Sequence, residues 1–278
     1  MKVFISADIE GIGGVATWDQ AGTDRPDHHR AREWMTDDVN AAVEGAFEGG
    51  ATDVIVRDAH GRARNIPWDR LHPRARLISG WGPTIDMLLG LDRTYGLVFL
   101  VGYHPGPAVP LGVLSHTFSS RILDLRLNGL PCNEVVIAAI EAGAQGVPIG
   151  LVSGQAELQD EIRPVLPHVA FVTTKRGLAY QAALLEPLAD VRARIRAGAR
   201  EAVAGAIAGP APSPFQPPPP LQLQIDLVAA EAAASLVGGA GITRTDARRC
   251  TLDAADAPTL LQRFFATLQV LYSIKDTP

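Results

Sequence analysis

Six short runs of the chain are almost unbroken in apolar, β-branched-rich sequence. They fall at about 2–7 (KVFISA), 53–57 (DVIVR), 75–79 (ARLIS), 97–102 (LVFLVG), 148–153 (PIGLVS) and 169–174 (VAFVTT). A strand with one wet face alternates apolar and polar residues, whereas a strand buried on both faces reads as a continuous apolar run. Between the runs lie stretches of helical period at about 29–48, 83–90, 133–143, 156–165 and 178–208, the last interrupted at Pro187. The pattern predicts an α/β fold, a mostly parallel sheet covered by helices on both faces.

Two segments depart from that alternation. LGVLSHTFSSRILDLRLNG, about 111–129, lacks helical period and predicts a β-hairpin inserted after the fourth strand. GPAPSPFQPPPP, 209–220, is a polyproline-type linker that neither continues a helix nor joins the middle of a sheet. The expected organisation is an α/β domain over 1–208, this linker, and a small C-terminal α+β module over 221–278 packed on the main domain. In that module LQLQIDLVAA alternates like a strand, ARRCTLDA reads as a second, and PTLLQRFFATLQVLY has an amphipathic helix period.

The strand ends carry side chains of one chemical class. Asp8 and Glu10 follow the first run, His60 the second and His104 the fourth, while Glu134 comes directly after Asn133, a residue suited to cap a helix N-terminus. Open α/β sheets place ligands in the crevice beyond the carboxyl ends of their strands. Residues two apart on a strand share a face, with Cα atoms roughly 6.6 Å apart, so Asp8 and Glu10 would reach the same metal or bracket a pair. Five ligands of mixed imidazole and carboxylate type suit zinc, with manganese or cobalt as substitutes. Five exceed the three protein ligands of a mononuclear catalytic zinc site, which favours two metals about 3.5–4 Å apart sharing one carboxylate. Such a centre lowers the pKa of a water and polarises a carbonyl or phosphoryl oxygen, so the expected chemistry is hydrolysis. His116, in VLSHTF on the expected hairpin, is the remaining titratable group available as general acid or base, or to stabilise an oxyanion.

Taken singly, each of these residues has a plain structural explanation: a loop histidine satisfied by carbonyls, or an acid beside a helix dipole. Their convergence on one sheet edge is what those explanations do not account for. His28, His29, His72 and His168 lack such placement and read as surface or packing residues. Gly11-x-Gly13-x-x-Ala16 formally matches a dinucleotide fingerprint. However, Asp8 and Glu10 would set negative charge beside a pyrophosphate, and the residues after Gly14 do not open a helix. Two alternatives stay open at this point: hydrolysis of another amide or a phosphoester, and a metal-binding protein without turnover. Arg57, Arg62 and Arg64 are the only basic cluster beside the ligand segments.

The bulk composition narrows the partners. A formal net charge of −5 with no basic stripe argues against nucleic acid. Acids at positions 8 and 10 break the apolar core a signal peptide needs, and no apolar run approaches the roughly 18 residues of a membrane span. A cytoplasmic protein without membrane contact is expected. Cys132 and Cys250 lack CxxC spacing, so neither a disulfide framework nor a cysteine zinc site is expected, and both read as buried thiols.

With these residues assembled, the chain resembles the zinc-dependent D-aminopeptidase family typified by a dipeptide-permease operon protein. The resemblance runs through ADIEGI (7–12), Arg32, Met35, Thr36 and Asn40 in RxxMTxxxN, DxH (58–60), LHPxAxLISG (71–80), FLVGYH (99–104), GVLSH (112–116) and LNGLPCNE (127–134). It covers about the first half of the chain. It implies an α/β subunit with two zinc ions on Asp8, Glu10, His60, His104 and Glu134, a catalytic role for His116, and release of an N-terminal D-amino acid from short peptides. It also implies a homo-oligomer, a ring-shaped decamer enclosing a chamber. On this reading Asp8 bridges the two ions, with Glu10 and His104 completing one site and His60 and Glu134 the other. Where the family tends to carry Gly-Asp after the fifth run, this chain has Gly154-Gln155.

Overall fold

The computed structural model describes residues 1–274 except 83, 85 and 240. All six apolar runs form strands. In chain order the elements are β1 (Lys2–Ala7), α1 (Trp18–Ala21), α2 (His28–Glu48), β2 (Asp53–Asp58), β3 (Arg76–Ile78), β4 (Leu97–Tyr103), β5 (Ile122–Leu127), β6 (Leu130–Pro131) and α3 (Glu134–Ala144). They continue with β7 (Ile149–Gln155), α4 (Ala156–Ile162), β8 (Ala170–Ala179), β9 (Ala182–Leu185), α5 (Leu188–Ala208), β10 (Leu221–Leu227), α6 (Ala230–Ser235), β11 (Ile242–Arg244), β12 (Arg249–Ala254) and α7 (Ala257–Ser273). None of these helices is long and apolar enough to cross a membrane.

The main sheet has the order β3-β2-β1-β4-β7-β8-β9 and is parallel except for its last pair, β8 and β9. Successive side chains of β1 enter opposite cores, which is why the run is apolar throughout. Val3 and Ile5 join Met35, Val39 and Val43 of α2 and Val191 and Ile195 of α5. Phe4 turns the other way, towards Val136 and Ile140 of α3 and the second sheet. The helices α2 and α5 cross at close range. A Cβ on Gly45 would lie 2.1 Å from the Arg196 carbonyl oxygen, so a glycine sits mid-helix despite its poor helix propensity.

The second sheet, order β11-β12-β10-β5-β6, is antiparallel. The inserted hairpin is present but starts later than expected. Residues 111–121 form an irregular loop, and the strands β5 and β6 turn at Asn128-Gly129, both with positive φ, as an Asn-Gly hairpin requires. The alternation in LQLQIDL is real: Leu221, Leu223, Ile225 and Leu227 are buried, and β10 adds to the hairpin with Leu223 opposite Leu127. The C-terminal strands therefore extend the hairpin's sheet instead of the main one.

Two expected helical stretches are corrected. Residues 178–187 end β8, turn and form β9, and α5 starts only after Pro187, whose fixed φ suits the N-cap it occupies. The helix expected over 83–90 includes positions 83 and 85, outside the described residues, and 87–90 is a turn.

Candidate metal centre

From β1 the chain moves outward to β2 and β3, then crosses back to β4 on the opposite side of β1. The topological switch point therefore lies between β1 and β4, and the crevice beyond their carboxyl ends is the fold's natural ligand site. Asp8 and Glu10 lie in the turn just past β1, His60 past β2 and His104 past β4. Glu134 opens α3, and His116 sits in the 111–121 loop. The turn, not a shared strand face, aims Asp8 and Glu10 together. It is stitched to β4 by Asp8 N–H to the Val101 carbonyl (2.9 Å) and Gly11 N–H to the Gly102 carbonyl (2.7 Å). A Cβ on Gly11 would stand 1.9 Å from the Tyr103 carbonyl oxygen, so no other residue fits this approach.

All six side chains meet. His60 Nδ1 lies 3.2 Å from Asp8 Oδ1 and 3.1 Å from Glu10 Oε2. His104 Nε2 lies 3.5 Å from both Asp8 Oδ2 and Glu134 Oε1. His116 Nε2 is 4.0 Å from Glu10 Oε1, and its ring stacks on His104 with centroids 4.2 Å apart. Asp8 thus faces both halves of the cluster. The shortest distances set Glu10 with His60 and Glu134 with His104, the reverse of the pairing expected from sequence. Asp8, Glu10 and His104 nonetheless bring ligand atoms within 4.8 Å of one another, as do His104, His116 and Glu134.

Each ring is oriented from behind. His60 Nε2–H donates to the Ala21 carbonyl (2.8 Å), His104 Nδ1–H to Pro105 (2.9 Å) and His116 Nδ1–H to Leu114 (2.8 Å). A carbonyl can only accept, so these contacts fix the proton and turn the other ring nitrogen towards the carboxylates. The backbone is held as firmly. Asp58 accepts from the Asn65 and Ile66 N–H groups, and the Asn65 side chain donates to the His60 carbonyl. Buried Lys175 donates from Nζ to the carbonyls of Glu10, Ile12 and Val15.

The electrostatics are those of anions forced together. Burial, then the charge of Glu10, raises the Asp8 pKa to about 7. Burial would also raise Glu10 and Glu134, but His60 holds Glu10 well below its ordinary value and His104 lowers Glu134. Burial opposes charge on the two histidines. Even so, Glu10 lifts His60 well above its ordinary value, and Glu134 with Asp8 brings His104 to about 10. His116 moves down, through burial and the neighbouring charge of His104. Asp8 Oδ2, Glu10 Oε2 and His104 Nε2 are buried without a hydrogen-bond partner, a costly arrangement unless a cation joins them. Carboxylate and imidazole donors without thiolate fit zinc.

The cluster forms one end of a cavity of about 470 Å³ whose other walls include Trp18, Trp81, Phe118 and Tyr272. None of these four was legible as a site residue. His28, a surface or packing residue by sequence, bonds Asn65 Oδ1 (3.1 Å) and lies with its ring 6.5 Å from His60, so it belongs to the support of that histidine. Gln155, the departure from the family pattern, accepts from Val113 N–H (2.8 Å) and donates to the Leu111 carbonyl (2.9 Å). It braces the loop that carries His116.

Known proteins resemble this chain in sequence and in fold. The family model described as D-aminopeptidase matches residues 1–266. A D-aminopeptidase of Bacillus subtilis (strain 168) is 32% identical over 182 residues, spanning 66% of each chain, just under two thirds. Among solved structures, the Zn-dependent D-aminopeptidase DppA from Bacillus subtilis, described as a self-compartmentalizing protease, superimposes with a TM-score of 0.92 at 25% identity over 100% of both chains. The chain belongs to the D-aminopeptidase family.

Proposed function

We propose that this protein is a cytoplasmic zinc-dependent D-aminopeptidase that releases the N-terminal D-amino acid from short peptides. The observation that carries the reading is the buried meeting of Asp8, Glu10, His60, His104 and Glu134, in which three ligand atoms have no hydrogen-bond partner. Two zinc ions suit five such ligands. Glu10 and His60 would hold one, Glu134 and His104 the other, with Asp8 shared. When bound, zinc lowers the pKa of a water towards 7 and polarises the scissile carbonyl.

The remaining work falls to the chain. His116 Nδ1 is committed to the Leu114 carbonyl, and burial favours its neutral form, so Nε2 is free of a proton and turned towards Glu10. In that state it takes a proton as the attack proceeds and returns it to the leaving amine. Gln155 and the Trp18 ring, edge-on to His116 with centroids 5.4 Å apart, hold it in place.

A phosphoester substrate fits less well. Arg57 is buried and engaged with the Gly80 and Asp86 carbonyls, while Arg62 and Arg64 line a separate pocket with Asp24. No lysine or arginine is among the described residues lining the cluster's cavity. The assembly follows the relative described as self-compartmentalizing: a homo-oligomer, and more specifically a decameric ring. Within it, the described residues of 221–278, joined through 209–220, form a module that contributes one wall of the active site.

The test is release of free amino acid from D-Ala-D-Ala and L-Ala-L-Ala, with zinc supplied and after chelation. Chelator-sensitive cleavage of the D-peptide alone is expected. Protein that holds zinc yet cleaves neither contradicts the reading and turns attention to other amides and to phosphoesters.

A further inference from the structure

The cavity beside the ligand cluster is walled by aromatic rings brought from four separate parts of the chain. Trp18 opens α1, Trp81 follows β3, Phe118 lies in the loop after His116, and Tyr272 ends α7. Met87 adds a thioether to the same wall. Apart from the histidines, the only charged side chains among the described lining residues are Asp8, Glu10 and Glu134, which are committed to metal.

Each ring is fixed before any ligand arrives. Trp18 donates from its indole nitrogen to the Tyr180 hydroxyl (3.3 Å), and its backbone N–H is held by the Gln181 side chain (3.0 Å). The Trp81 indole donates to the Gly61 carbonyl, and the buried Arg57 guanidinium lies 4.8 Å from its ring centroid. Phe118 stacks edge-on against Phe264 at 5.3 Å, and its N–H donates to Glu134 Oε1 (2.6 Å). The Tyr272 hydroxyl donates to the Phe118 carbonyl. With these polar ends satisfied on surrounding groups, the rings offer the cavity apolar surface. Fixed aromatic surface binds aromatic and large apolar groups well and gives little to an anionic one, whose charge the negative ring faces disfavour. At about 470 Å³ the cavity is sized for a small ligand, and a methyl side chain would leave most of the aromatic wall uncovered.

We infer that this site selects substrates whose N-terminal residue carries an aromatic or large apolar side chain, with Trp81 and Tyr272 as specificity-determining residues. The inference rests on the aminopeptidase reading above. It also assigns the C-terminal helix a direct part in substrate choice, because Tyr272 is its contribution to the wall. An acidic first side chain would lie against the aromatic wall, with no lysine or arginine in the described lining to pair with it.

The experiment compares kcat/KM of the zinc-loaded full-length protein for D-phenylalaninamide, D-leucinamide, D-alaninamide and D-glutamate α-amide. All release ammonia, so only the first side chain differs. The phenylalanine amide is expected to exceed the alanine amide by roughly tenfold or more, with the glutamate amide lowest. In Trp81→Ala and Tyr272→Ala that ratio falls towards unity, whereas Tyr272→Phe, which keeps the ring, preserves it. Because a ratio is read, a partly unfolded variant does not imitate the effect. Equal or better use of the alanine amide, or an unchanged ratio in both alanine variants, overturns the inference. Should zinc-loaded protein cleave no amide at all, the aminopeptidase reading is what fails. Binding to chelated protein, followed by tryptophan fluorescence, then decides the inference: tighter binding of D-phenylalaninamide than of D-alaninamide upholds it, and no difference overturns it.

Discussion

Glu161 accepts a 2.7 Å hydrogen bond from the side-chain amide of Asn133, the residue that caps α3 immediately before Glu134. The same carboxylate oxygen takes the Gly106 N–H at 2.9 Å, two residues beyond His104. One largely buried group on α4 therefore sets the backbone beside two proposed ligands, His104 and Glu134, that are far apart in sequence. Glu161→Ala removes both bonds and is expected to weaken zinc binding by roughly 10–100-fold, the usual effect of losing a group that orients ligands. Competition against a chelator of known affinity measures it.

Gly11 carries a similar constraint in backbone form. Its missing Cβ is what lets the ligand turn lie on β4, with 1.9 Å to the Tyr103 carbonyl oxygen if a methyl were present. Gly11→Ala is expected to cost about 1–3 kcal/mol or more, since backbone on both sides must move. Urea unfolding gives the stability, and zinc content of the folded fraction should fall with it.

Much of this architecture is legible in the chain because two signals coincide. Runs such as DVIVR are apolar on both faces, which only a doubly covered strand explains, and each proposed ligand follows such a run or a helix cap. What is not legible depends on distance or on turn geometry. Tyr272 reaches the cavity only because α7 packs across the molecule, and nothing local marks it. The grouping of Glu10 with His60 is set by the turn after β1, whose course follows from Gly11 and from Lys175 Nζ bonding three of its carbonyls. Residues 178–187 look helical by composition, yet pairing such as Arg176 with Leu184 makes them a strand hairpin. Tertiary pairing overrides local propensity there.

Asp38 supplies a pH signature away from the proposed metal ligands. It is buried, accepts from Gly13 N–H and Arg192 Nε at 3.1 Å each, and burial pushes its carboxyl up from 3.8 to about 6. A carboxyl raised in the folded state binds its proton more tightly there than when unfolded. Its contribution to stability is complete below pH 3.8 and is lost as pH rises through about 6. Across that window the loss is roughly 3 kcal/mol. Asp38→Asn lacks the titration, so its stability relative to the parent should improve by up to about that amount between pH 4 and pH 7. Paired urea melts at the two pH values read the change, and a constant difference between the proteins would rule it out.

His104 and His116 stack on each other but are assigned different roles. His104→Ala should lower zinc content and activity together. His116→Ala should keep its zinc and lose about 10²–10⁴-fold in turnover, the range for a general acid or base. Metal analysis alongside initial rates separates the two, and wild-type turnover in His116→Ala removes the role given to it.

The most direct measurement is calorimetric titration of zinc into chelator-stripped protein, with D-Ala-D-Ala cleavage followed on the same samples. Two ions per chain and proton release are expected, because raised His104 and Asp8 must give up protons to bind metal. Activity should return as the sites fill. Full activity in the stripped protein, or zinc uptake that Glu10→Ala and His104→Ala leave untouched, would contradict it.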